Sequence, residues 1–192
     1  MAKRLARGRR EDLLDGVMRI IAVRGFSDVR IAEIARELHC SVASLYKIAP
    51  SKDSLVLLAI GRWGELALES LETDSQGCAT AAERARVYFR DGAQSLGFMS
   101  REFREDVERF ESTRRLWTTA IANPFIDRFV NLLDLAVEAH EIRPVNTRFL
   151  GEMLRRIAWA MRDEQLLRAT GLTVDQGMLE LDQIIWSGIR AG

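Results

Sequence analysis

An all-α chain of two modules is the architecture the sequence predicts, on three observations. Apolar residues recur at three- and four-residue intervals along nearly its whole length. Strand signals are few, with three prolines, no Asn-Gly hairpin turn and no alternating Val/Ile/Thr run. Charge, finally, is unevenly placed. The 192 residues are 47% apolar and 29% charged, which suits the core of one or two small domains and excludes a disordered or fibrous chain. Lys plus Arg and Asp plus Glu balance at 28 each. Residues 1–55 nevertheless hold eleven basic side chains (Lys3, Arg4, Arg7, Arg9, Arg10, Arg19, Arg24, Arg30, Arg36, Lys47, Lys52) against seven acidic ones (Glu11, Asp12, Asp15, Asp28, Glu33, Glu37, Asp53), leaving +4 there and −4 in the remainder. This predicts a basic module over 1–55 and a mildly acidic one over 56–192.

The elements follow in order. Leu13, Leu14, Val17, Met18 and Ile21 form the first helical stripe, expected to stop at Arg24-Gly25, where glycine supplies a left-handed cap. Ile31, Ile34, Ala35 and Leu38 define a second helix of barely two turns before His39-Cys40. Ser41 is the N-cap of a third short helix holding Val42, Leu45 and Tyr46. Pro50 closes the unit and Ser51 caps a fourth helix whose buried face is expected to be Leu55, Leu58, Ala59, Trp63, Leu66, Ala67 and Leu71. Past the polar break Thr73-Asp74-Ser75-Gln76-Gly77, longer helices are expected near 80–98, 102–121, 124–140, 147–169 and 174–190, punctuated by Pro124, Pro144 and Gly171.

Three short helices behind a basic arm, the second and third joined by a tight turn, make the outline of a helix-turn-helix DNA reader. The third helix would enter the major groove, about 12 Å wide, showing Ser41, Val42, Ala43, Ser44 and Lys47 outward and turning Leu45 inward. The Tyr46 hydroxyl is long enough to reach a phosphate, and Ser41 can both cap its helix and offer its hydroxyl. Arg30 and Lys52, at the starts of the second and fourth helices, would hold phosphates beside helix N-terminal amides, fixing register without reading sequence. The arm with Arg4, Arg7 and Arg10 is either a solvated tail or a minor-groove or phosphate contact; the adjoining motif favours the second.

Gly25-Phe26, Ile31-Ala32-Glu33-Ile34-Ala35, Cys40-Ser41-Val42-Ala43-Ser44-Leu45-Tyr46 and Ser51-Lys52-Asp53-Ser54-Leu55, in that order and spacing over roughly residues 10–57, resemble the DNA-binding domain of TetR-type transcriptional regulators. The remaining residues resemble that family only in being helical and of the right length. The resemblance implies a homodimer on a near-palindromic double-stranded operator, and a C-terminal domain that dimerises and takes a small-molecule effector. Repression would be released by that ligand, with no cofactor. It also places the dimer interface in the last two helices. There Phe149, Met153, Leu154, Ile157, Ala158 and Met161 form one stripe and Met178, Leu181, Ile184, Ile185 and Ile189 another, which would close a four-helix bundle with their copies, although such stripes also serve as ordinary core. Departures from the family pattern are His39 in the turn, where a small glycine is common and a left-handed backbone costs a histidine something, and Ile48-Ala49 in place of an aromatic pair.

The aromatic residues beyond the basic module are packing by default. An effector pocket between helices would draw on the same residues, and Trp63, Phe89, Phe110, Trp117 and Phe129 are the candidate lining. Cys40 and Cys78 lack the spacing of a disulfide or zinc framework, which suits a reduced, cytoplasmic protein, with Cys40 expected as a small core residue. No signal peptide is expected, because Glu11, Asp12 and Asp15 interrupt the apolar residues behind the basic start. No membrane segment is expected either, since the longest apolar run, Leu55–Ile60, falls far below the roughly 18 to 20 residues a bilayer needs. His140, beside Glu141 at a helix end, suits a helix-dipole role better than metal ligation, and no metal site is expected. The charged run Arg101–Arg115 reads as a solvated helix face.

Enzyme signatures fail in turn. Gly92 and Gly97 have P-loop spacing, but Phe98-Met99 stands where Lys-Ser/Thr would bind phosphate and magnesium. There is no G-x-S-x-G elbow and no G-x-G-x-x-G. The chain is therefore expected not to be an enzyme. Readings of another class are an architectural DNA binder without effector, and a helical ligand carrier or enzyme whose basic front is incidental; salt-dependent retention on DNA separates them.

Overall fold

The computed structural model describes residues 2–160 and 164–189, with side chains over 8–158 and 166–189. All regular structure among them is helical: α1 (Ala2–Arg24), α2 (Ile31–Glu37), α3 (Val42–Tyr46), α4 (Lys52–Ser75), α5 (Ala81–Gln94), α6 (Arg101–Arg109), α7 (Glu111–Leu116), a π-helical turn (Trp117–Ala122), α8 (Asn123–Glu138), α9 (Thr147–Ala160), α10 (Glu164–Thr170) and α11 (Val174–Ile189). Local chemistry sets the ends. Gly25 takes φ +71° after α1, and Thr80 with Glu83 forms a reciprocal capping box on α5. Ser100 caps α6 through the Phe103 amide, and proline opens α8.

The two histidines end helices in the same way. His39 and His140 adopt φ 49° and 58°. Their amides donate to Arg36 and Val137, and the amides that follow, of Cys40 and Glu141, reach back to Ala35 and Ala136. These are Schellman caps, with histidine in the position that glycine most often fills. The contribution of His140 at its helix end is therefore made by its backbone.

Several expected boundaries move. The helix expected over 102–121 is broken at Phe110, whose extended backbone (φ −101°, ψ 124°) ends α6 and starts α7. The buried Thr113 hydroxyl binds there, at 3.1 Å from the Val107 carbonyl and 3.0 Å from that of Phe110. The helix expected over 80–98 stops at Gln94, where Ser95 Oγ donates to the Gly92 carbonyl at 2.7 Å. On α4, Leu58 and Leu66 are exposed while Val56 and Ile60 are buried beside Leu55 and Ala59.

The chain divides into two compact units, Met1–Glu65 with Phe98–Ala120, and Leu66–Gly97 with Ile121–Gly192. The segment 98–120 thus groups with the N-terminal helices, whereas the sequence places a single boundary at residue 55. In the first unit Leu14, Val17, Ile21, Phe26, Ile34 and Leu45 share the buried interior with Phe103, Val107 and Trp117. Arg62 holds Asp15 with two hydrogen bonds, Nε at 2.7 Å and a terminal nitrogen at 3.2 Å, joining α4 to α1. That carboxylate, hydrogen-bonded to the guanidinium, raises the arginine pKa further.

The second unit is built on α5, α8 and α11. Phe89 and Phe129 meet with ring centres 4.8 Å apart, and Tyr88 stacks on Phe125 at 5.1 Å. Gly92 permits this packing, because a Cβ there would lie 2.2 Å from the Phe125 ring. Glu72 accepts from Arg84 at 3.2 Å and from both nitrogens of an Arg128 fork. Burial, with the nearby Glu72 charge, pushes the Tyr88 hydroxyl up to about 12 against the opposing pull of Arg128. Asp182 is buried on α11 with Oδ1 unpartnered. Burial raises its pKa, with Arg86, Trp186 and Arg90 acting in the opposite sense.

Candidate nucleic-acid interface

The geometry of the first unit begins with α3. Its sequence offers one anchor, Leu45, which is fully buried, with Ala49 below it and Ile34 and Ala35 on α2 also buried. The left-handed turn at His39 reverses the chain between the two helices. Ser41 then caps α3 by accepting from the Ser44 amide at 3.1 Å, while the two hydroxyls hydrogen-bond at 2.9 Å. Opposite Leu45, Ser41, Ala43, Tyr46 and Lys47 are exposed, and Val42 and Ser44 are half-buried. Of the expected reading face, Ser41, Ala43 and Lys47 therefore stand fully outward, while Val42 is partly covered and the Ser44 hydroxyl is engaged by Ser41. Cys40, expected in the core, is half-buried and free, as is Cys78.

Around that face, Arg30 is exposed at the N-cap of α2 in extended backbone. Arg24 is tied to α2 through Glu33 and Glu37, each at 3.2 Å. Ser51 Oγ accepts from the Ser54 amide at 3.1 Å, and Ser54 Oγ accepts from the Ser51 amide at 3.0 Å, which caps α4 from both sides. Lys52 also has a partner inside the unit. Its ammonium donates to the Ser27 carbonyl at 2.9 Å, bracing the α1–α2 connection. Arg10 is exposed on α1, and the side chains of Arg4 and Arg7 lie outside the described residues.

One polar centre of this unit is absent from the sequence reading. Asp106, inside a run read as a solvated face, is 5% exposed. Its Oδ2 accepts from the Phe26 amide at 2.6 Å and the Ser27 amide at 2.8 Å, and its Oδ1 accepts from the Ser27 hydroxyl. The available signal was positional: Asp106 follows Phe103 by three residues and so falls on the apolar face that Val107 continues.

The candidate pocket residues separate into three groups. Trp63 and Trp117 stack at 5.6 Å in the first unit, with Phe98 at 5.9 Å from Trp63 and Phe103 at 6.1 Å from Trp117. Phe110 packs on Phe26 at 5.8 Å. Phe89 and Phe129 belong to the core of the second unit. The candidate interface residues divide likewise. Leu154, Met178, Ile185 and Ile189 are buried in the second unit's own core, because α9 and α11 each carry an inward apolar face. Ile157 and Leu181 are partly buried against it, and Met161 lies outside the described residues. Phe149, Met153 and Ile184 are the outward ones, exposed by 64%, 41% and 68%. Among the described residues no group of three or more His, Cys, Asp or Glu could hold a metal, and no helix is long and apolar enough to cross a membrane.

A capped, outward-facing short helix held across a tight turn from its partner, in a chain whose other unit is also helical, defines a helix-turn-helix protein. Residues 13–59, which hold that motif, match the family model described as bacterial regulatory proteins, tetR family. The HTH-type transcriptional repressor KstR of Mycobacterium tuberculosis is 28% identical over 130 residues, covering 67% of this chain and 56% of that protein. The match thus spans little more than half the length of that curated relative. Two solved structures share the fold. One, assigned as a transcriptional regulator from Saccharomonospora viridis and solved in complex with choline, has a TM-score of 0.75 and 22% identity, covering 96% of this chain and 99% of its own. The other, the ketosteroid transcriptional regulator KstR2 of Mycobacterium tuberculosis, has a TM-score of 0.56 and 18% identity, covering 96% of each chain.

Proposed function

We propose that this protein is a dimeric transcriptional repressor that sits on a near-palindromic operator in the cytoplasm and leaves it when a small molecule binds. The observation that carries the reading is the α3 face, where Ser41, Ala43, Tyr46 and Lys47 stand outward over a fully buried Leu45. Short polar side chains and one cation on a groove-sized helix suit base-edge and phosphate contacts, while Arg30 and Arg10 supply sequence-independent charge. Repression takes support from the likeness to KstR. Ligand control takes support from the choline complex of the Saccharomonospora protein. We assign no enzymatic activity and no cofactor.

A single short reading helix has little surface with which to hold DNA, so two copies would act together, their α3 helices about 34 Å apart. The outward Phe149, Met153 and Ile184 are the surface we assign to the partner copy. A ligand that favours a different α3 spacing weakens operator binding by its differential affinity for the two states.

The test is fluorescence anisotropy of the purified full chain on duplex from upstream of its own gene, and on duplexes it selects from a randomised library, against scrambled DNA at several salt concentrations. Specific binding by two protomers is expected. If Arg10, Arg30, Lys47 and Lys52 of both copies meet phosphate, log K should fall with log salt at a slope of about −7. Equal affinity for unrelated duplexes would favour the architectural binder, and no binding at all would overturn the DNA-reading assignment.

A further inference from the structure

We propose that Asp106 is a positioning residue for DNA recognition, a latch by which α6 sets the conformation of the α1–α2 connection and so the posture of the α2–α3 pair. It rests on reading the first unit as a DNA reader, and every group involved belongs to that unit.

The carboxylate is buried, yet both oxygens are satisfied by one short stretch of chain. Oδ2 takes the amides of Phe26 and Ser27, and Oδ1 takes the Ser27 hydroxyl. Two consecutive amides on one anionic oxygen are a strong, directional pair, and in a buried setting neither partner has water to fall back on. The backbone is shaped for this approach: a Cβ on Gly25 would stand 2.7 Å from Oδ2. Two further contacts tighten the same point. The Ser100 amide, at the start of α6, donates to the Ala22 carbonyl at 2.7 Å, so α6 is fastened to the end of α1 as well as to the residues after it. On its other side Ser27 gives its carbonyl to Lys52 at 2.9 Å, which links the connection to the first residue of α4. Arg109 approaches the Ser27 hydroxyl at 3.4 Å from the solvent side.

Ser27 is therefore gripped from α6 and from α4 at once, four residues before α2 begins. A displacement of α6 would carry Asp106 with it. The connection would then either follow or lose three hydrogen bonds. Either response moves the N-terminus of α2, and α3 is joined to α2 by a turn of only four residues, Leu38 to Ser41.

The experiment compares operator binding by wild type, Asp106→Asn and Val107→Ala, using the duplex that the wild type selects from a randomised library, with scrambled duplex as the reference. Val107 is buried on the same helix and makes no contact through a carboxylate, so its truncation lowers stability without opening the latch. Asp106→Asn keeps one acceptor but loses the charge and the second acceptor. If release leaves about one dimer in ten with both headpieces competent, operator affinity falls about tenfold while scrambled-duplex affinity holds. Amide exchange at Phe26 and Ser27 should accelerate in Asp106→Asn alone. Ser27→Ala, which removes only the hydroxyl donor, should give a smaller loss in the same direction and serves if Asp106→Asn does not fold. Equal operator affinity in wild type, Asp106→Asn and Ser27→Ala overturns the latch and leaves the DNA reader standing. An equal loss in Val107→Ala reduces Asp106 to a stabilising group and also overturns it. A wild type that selects no sequence overturns the DNA-reading assignment and the latch together.

Discussion

Replacing Gly25 with alanine separates backbone strain from the Asp106 contact in one comparison. Gly25 has φ +71°, and an added Cβ would lie 2.7 Å from Asp106 Oδ2 and 3.1 Å from the Glu102 Cβ. The left-handed backbone costs alanine about 1 kcal/mol relative to glycine. Displacing the carboxylate from the Phe26 and Ser27 amides forfeits charged, buried hydrogen bonds, worth about 2 to 3 kcal/mol together once partial relaxation is allowed. The sum is about 3 to 4 kcal/mol. Gly171 is the natural control, with the same φ of +71° and no atom within 4 Å of a built Cβ. Its alanine variant pays the backbone term alone. At about 3 °C of melting temperature per kcal/mol for a chain of this size, Gly25→Ala should melt about 10 °C below wild type and Gly171→Ala about 3 °C below. Thermal melting followed by circular dichroism reads both. Equal losses would refute the reasoning, because they would mean that the carboxylate does not hold the turn closely enough to meet a methyl group.

Ser41→Ala removes the cap of α3 and should cost about 1 kcal/mol. Operator affinity should fall while scrambled-duplex affinity changes little, and an unchanged ratio between the two would show that the cap does not order the reading helix. Asp182→Asn should raise the melting temperature at neutral pH. Burial places the folded-state pKa of Asp182 above its unfolded value, so the contribution of its protonated form is fully present below the ordinary carboxylate range and is lost as pH rises through the folded value. The advantage of asparagine should therefore vanish below about pH 4, and melting curves that stay parallel across pH would contradict this. Phe149→Glu combined with Ile184→Glu places charge on the outward apolar face of α9 and α11 and should yield monomers by sedimentation, with loss of operator binding. A dimer unaffected by both would put the interface elsewhere.

What was legible in the sequence was what short-range chemistry decides. Gly25 ends α1, Ser41 opens α3 and Ser51 opens α4 because each effect acts within one helical turn of its residue. The α3 face was equally readable: a helix of five residues with one leucine has only one way to bury it. Failures begin where a residue answers to a distant neighbour. Leu58 and Leu66 obey the helical period and are exposed, while Val56 and Ile60 take the interior. The break at Phe110 depends on Thr113 reaching back to the Val107 carbonyl, a bond that no propensity encodes.

Asp106 shows the limit most clearly. In Arg101-Glu102-Phe103-Arg104-Glu105-Asp106 its charge is indistinguishable from its neighbours', and Arg101 with Glu105 does form the surface pair that such a run suggests. Only the helical register singles Asp106 out, three residues after a fully buried phenylalanine. A carboxylate on an apolar stripe must find donors or remain protonated, and the donors Asp106 finds are the Phe26 and Ser27 amides of the connection after α1. Two local irregularities, a glycine that stops one helix and an acid on the wrong face of another, thus meet in one contact, which neither shows alone. The same pairing rule finds no answer for Asp182, whose Oδ1 meets no donor and whose pKa rises accordingly. The contrast between the two acids separates a buried carboxylate that organises a turn from one with an oxygen that no donor meets.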